Sequence, residues 1–105
     1  MTELTNVTVT KAASIYFDGK VTSRTMTLAD GSVKTLGIMM PGEYTFAAND
    51  EELMEILAGD VDVLLSGKTE WINISAGQSF GVEAHTKFDI KVKKLTDYCC
   101  SYFSA

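Results

Sequence analysis

The chain has 105 residues, 46% of them apolar and 22% charged, which is the make-up of one globular domain and not of a disordered segment. Its net charge of −5 disfavours a broad cationic face for nucleic acid or an anionic membrane, so small molecules drawn to local sites are the expected partners. No apolar stretch approaches the roughly 20 residues a membrane helix requires. The opening M-T-E-L-T-N-V lacks a basic region followed by an apolar run, and a cytoplasmic protein without a signal peptide is expected.

In chain order the pattern is nearly all strand. Val7 and Val9 alternate near the N-terminus, where residues 1–14 are expected to form an extension or added edge strand. Residues 20–28 (K-V-T-S-R-T-M-T-L) are rich in β-branched side chains, and Asp30-Gly31 follows as a tight hairpin signal. Residues 33–40 form the return strand, stopped by Pro41-Gly42, and the next strand begins at Glu43. Val61, Val63 and Leu65 alternate before the turn Ser66-Gly67, and residues 71–74 and 79–82 flank the turn Ala76-Gly77. Phe88, Ile90 and Val92 face one way, against Lys87, Asp89, Lys91 and Lys93. Residues 98–103 read as a last aromatic strand, in which the adjacent Cys99 and Cys100 point to opposite faces, so that one packs inward, the other faces out, and no disulfide joins them. Turns at this spacing belong to an all-β sandwich or barrel.

Two spacings carry more. Gly37 is followed, after five residues, by Glu43-Tyr44-Thr45, then after six more by Glu52, and Gly59 closes the run. A second run starts at Gly77 and reaches Phe88. The frame resembles the two motifs of the cupins, whose metal-binding histidines occupy the positions of Glu43, Thr45 and Phe88. The resemblance implies an RmlC-like double-sheet β-barrel, or jelly roll, with Glu43 and Glu52 facing its interior. It also implies a strand at residues 51–57 (E-E-L-M-E-I-L), with Glu52, Met54 and Ile56 on one face, where propensity alone would choose helix. With three of four ligand positions lost, no metal is expected, and two carboxylates fall short of an oxygen cage.

The segments I-Y-F-D-G-K-V-T-S-R (15–24), K-T-L-G-I-M-M-P-G-E-Y-T-F (34–46), A-G-Q-S-F (76–80) and T-D-Y-C-C-S-Y (96–102), with Trp71, are similar to the small pyrimidine/purine nucleoside phosphorylases of cupin fold. The chain departs from that pattern at V-E-A-H (82–85), where the family usually has Val-Pro and a small residue. The resemblance implies one cupin domain over residues 15–105 that converts nucleosides and inorganic phosphate to free base and ribose 1-phosphate. It further implies broad base tolerance and no cofactor.

Phosphorolysis needs an anion site, recognition of the sugar and help for the departing base. Arg24, aided by Lys34 or Lys20, is the expected phosphate ligand, because a guanidinium suits an oxyanion fork. Glu43 and Glu52 are the expected catalytic carboxylates, placed to bind ribose hydroxyls or to protonate the base. Thr45, Phe88, Trp71 and His85 are the candidate substrate-binding residues: Thr45 completes the first motif, Phe88 and Trp71 offer π faces, and His85, the only histidine, sits in the departing turn and is expected to be exposed. Tyr44 and Phe46 are expected on the opposite face from Glu43, in the outer core or against a partner. A homodimer is expected from the exposed edges of a small barrel, with exchange of the N-terminal strand as one route. The alternative is a metal-free cupin that binds or isomerises a small sugar-like ligand.

Overall fold

The computed structural model describes residues 3–103; residues 1, 2, 104 and 105, the outer ends of the two expected segments, lie outside them. The described residues form strands β1 (Thr8–Val9), β2 (Ser14–Tyr16), β3 (Val21–Thr27), β4 (Val33–Met39), β5 (Gly42–Ala48), β6 (Glu51–Leu64), β7 (Ile72–Ser75), β8 (Ser79–Val82) and β9 (Thr86–Phe103), with a 3₁₀ turn at Phe17–Gly19. All strand pairs are antiparallel. Among the described residues no helix is long and apolar enough to cross a membrane.

Two long strands organise the barrel. β6 and β9 pair from Glu51↔Phe103 to Leu64↔Asp89, and each changes its other neighbour on the way. The first part of β6 and the last part of β9 lie with β3, β4 and β8, whereas their remaining halves lie with β5 and β7. The change falls at irregularities in β6 between Ile56 and Val61, the kind of bulge that bends a strand from one sheet into the next. Gly59 sits there at φ 115°, where a Cβ would run into Thr96, so only glycine fits.

The two sheets enclose Val21, Met39, Tyr44, Met54, Ile56, Val61, Val63, Phe80, Phe88, Ile90, Val92 and Tyr98 as one core. The strand reading of residues 51–57 holds, with Met54 and Ile56 buried and Glu52 on their face. Helix propensity differs by about 0.7 kcal/mol per residue or less, whereas burying a Met or Ile side chain is worth about 1.5–3 kcal/mol. Packing therefore decides. β9 is one strand of 18 residues, not two, because the segment between Lys93 and Tyr98 carries Thr96 buried against the Gly59 bulge. Cys99 and Cys100 do point to opposite faces and are unbonded, but both are buried: the outer face at Cys99 is covered across the row Leu36–Cys99–Glu55.

Candidate functional site in the barrel mouth

The interior opens at one end into a cavity of about 140 Å³, lined by Tyr16, Ser23, Met39, Phe46, Ala47, Glu52, Met54, Phe88, Tyr98, Cys100 and Tyr102. Strand alternation supplies this set. Tyr98, Cys100 and Tyr102 fall at every second position of β9, and Cys100 and Tyr102 pair directly with Met54 and Glu52 of β6. Gly37 on β4 lies opposite Tyr98, and a Cβ there would strike the Thr22 carbonyl and, at 2.7 Å, the Tyr98 hydroxyl. Glycine at this point of the frame thus makes room for a tyrosine that lines the cavity.

One wall is aromatic. The rings of Phe46 and Phe88 stack at 5.6 Å and 29°, and Phe80 meets Phe88 edge-on at 5.7 Å. Phe17 closes over Tyr44 and Phe46, at 4.9 and 5.5 Å, from a backbone with φ 52°. A bulky residue in that region is a true outlier, held there by its ring contacts and by the Lys20 amide donating to the Phe17 carbonyl.

The other wall is polar and protic. Among the described residues Glu52 is the only carboxylate in the cavity lining. Burial pushes its pKa above the ordinary carboxylate value, with Asp50 adding to the rise, while the Cys100 thiol, donating to Oε1 at 3.5 Å, opposes it. Burial wins, so the carboxyl is biased toward its protonated form. Burial also pushes Tyr98 up to about 12 and raises Cys100 and Tyr102, so these groups stay neutral and act as hydrogen-bond donors. The Tyr102 hydroxyl lies 3.2 Å from Thr35 Oγ1, which extends the polar wall onto β4.

Of the residues expected from sequence, Glu52 and Phe88 meet in this cavity and the others do not. Glu43 and Thr45 face outward, contrary to the frame. Phe46 pairs directly with Phe88, and Tyr44 with Ile90, so these two share the interior face and turn Glu43 and Thr45 to the outside. Tyr44 and Phe46 hold the inward positions instead, with the Tyr44 hydroxyl donating to the Met40 carbonyl at 2.6 Å. Thr45 Oγ1 donates to Asp89 at 2.6 Å on the outer face. Trp71 is also outside, with Lys91 Nζ 4.3 Å over its ring.

The expected phosphate ligands are outside as well. Ser23 faces the cavity, so its neighbour Arg24 must face away; its Nε donates to the Lys11 carbonyl at 3.4 Å. Lys34 donates to Ser101 at 2.9 Å on the outer face, and Lys20 is exposed behind the 3₁₀ turn. His85 is exposed in its turn, as expected, at φ 62°. Among the described residues no three His, Cys, Asp or Glu side chains are grouped to hold a metal ion.

Comparison with known proteins agrees with this architecture. Residues 11–102 match the family model described as pyrimidine/purine nucleoside phosphorylase. A protein of that name from Colwellia psychrerythraea strain 34H is 66% identical, over 99% of this chain and 100% of its own. A solved structure of a protein of unknown function from Acinetobacter sp. ADP1 superposes with a TM-score of 0.93 at 36% identity, covering 96% of this chain and 98% of that one. An RmlC-like cupin from Shewanella frigidimarina shares the fold, with a TM-score of 0.70 at 14% identity over 90% of this chain and 84% of its own.

Proposed function

The chain belongs to the pyrimidine/purine nucleoside phosphorylase family, and from that premise we propose that it splits nucleosides with inorganic phosphate in the barrel mouth. The observation that carries this reading is Glu52: one half-buried carboxyl, biased toward its protonated form, beside stacked aromatic rings. A planar base slots against Phe46 and Phe88, with Glu52 within reach of its edge. The C1′–N bond breaks with its electron pair leaving on the base, and a phosphate oxygen forms the new C1′–O bond. Glu52 gives its proton to the base and regains one from the phosphate hydroxyl, so free base and ribose 1-phosphate leave with protons balanced. Proton transfer of this kind is worth about 10²–10⁴ in rate.

The stacked wall suits either ring system, because every base has a π face, which supports broad base tolerance. No divalent metal takes part in this scheme, since the donor set that would hold one is absent at the three histidine positions. Residues 15–105 act as the catalytic domain in the cytoplasm. The protein pairs as a homodimer over the outer face of β4, β6 and β9, where Leu36, Ile38, Leu57, Leu95 and Phe103 are exposed. The test is release of free base from purine and pyrimidine nucleosides with and without phosphate. Release that ignores phosphate would remove the phosphorylase reading.

A further inference from the structure

A second recess, a groove of about 360 Å³, joins the cavity through shared residues Tyr16, Ser23 and Tyr102 and differs from it in chemistry. Its wall is a patch of hydroxyls at positions a barrel would normally fill with apolar side chains. Ser23 and Thr25 are alternate residues of β3; Ser14 pairs with Ser23, and Thr25 with Thr35, so two cross-strand pairs place four hydroxyls on one surface. Ser23 and Thr35 are 6% and 7% exposed, so they belong to the fold and not to a solvated rim. Among the described residues Asp50, on the turn between β5 and β6, supplies the one carboxylate of this groove, and no lysine or arginine lines it.

Neutral hydroxyls donate or accept as needed, and a carboxylate only accepts. Together they suit a neutral polyol with adjacent hydroxyls, and they repel an anion. Resting on the nucleoside reading above, we propose that this groove is the sugar subsite, with Asp50 accepting hydrogen bonds from the vicinal 2′- and 3′-hydroxyls of ribose. The base then points into the aromatic cavity past Ser23 and Tyr102, and the anomeric carbon lies at their junction, beside Glu52. A nucleoside 5′-phosphate is disfavoured there, because its charge meets Asp50 with no cation lining the groove.

The test compares a ribonucleoside with its 2′,3′-dideoxy analogue on the full chain and on D50N. Asp50 also raises the Glu52 pKa, so D50N shifts turnover of both substrates through Glu52, and only the ratio reports the diol contact. A hydrogen bond to a charged group predicts that D50N narrows the ribo-to-dideoxy ratio of kcat/KM by about tenfold or more. T25V should narrow it less. An unchanged ratio in D50N overturns the proposal even if phosphorolysis is intact. If the wild-type chain splits no nucleoside, the phosphorylase reading falls, and the same two ligands are compared by equilibrium dialysis without phosphate. A ribo preference in binding that D50N abolishes then still supports the sugar subsite, and equal binding to both proteins removes it.

Discussion

Replacing Glu52 with glutamine keeps the side-chain volume and a hydrogen-bond donor but removes the transferable proton. Three of the other protic groups facing the cavity are made poorer acids: burial pushes Tyr98 up to about 12, and it raises Cys100 and Tyr102 as well. With no second carboxyl in the described cavity lining, E52Q should fall in the upper part of the general-acid range, a loss of about 10³–10⁴ in kcat. That corresponds to about 4–5.5 kcal/mol of transition-state stabilisation. Nucleoside KM should change little, since glutamine still fills the polar wall. The assay is steady-state release of free base at saturating phosphate, with thermal unfolding followed alongside.

Unfolding provides an internal control with a definite sign. The folded-state pKa of Glu52 lies above its ordinary value of 4.5, so the folded protein binds this proton more tightly than the unfolded chain. The resulting stabilisation is present below 4.5 and is lost as pH rises through the folded value. E52Q lacks this dependence, so at neutral pH it should melt no lower than wild type. A variant that folds this well and keeps more than half the wild-type turnover would refute the assignment of Glu52 as the acid.

Three further outcomes follow from the geometry. R24A removes an exposed side chain outside the cavity, so its unfolding free energy should move by about 0.5 kcal/mol or less in denaturant titration and its KM for phosphate should stay near wild type in steady-state kinetics. Exhaustive chelation should leave kcat unchanged, checked by adding back divalent ions one at a time. F88A should lose about 3–5 kcal/mol of unfolding free energy in denaturant titration through the void it opens. F88L, which keeps most of the volume, should fold and show a raised nucleoside KM in steady-state kinetics as its stacking surface goes.

The strands were legible because alternation was strong: Phe88, Ile90 and Val92, and Val61 and Val63, lie inward as read. Motif counting placed Glu52 and Phe88 on the correct face but failed one strand away. The count from Gly37 runs through the Pro41-Gly42 turn, and a slip of one residue beyond a turn reverses every side chain. Pairing β5 with β9 would have exposed the conflict, since Phe88 cannot face in while Phe46 directly opposite faces out. The same alternation could have found Tyr98, Cys100 and Tyr102, which step along β9 in the phase of Phe88. Ser23 and Thr35 carried no such signal, because a serine or threonine in a strand looks alike on either face.

The most direct measurement is phosphate-dependent phosphorolysis by the wild-type chain, read by chromatography of free base and ribose 1-phosphate from one purine and one pyrimidine nucleoside. Both products should form in equal amounts, from both nucleosides, only when phosphate is present and equally well after chelation. Free base appearing at the same rate without phosphate, or no base from either nucleoside, would contradict the account.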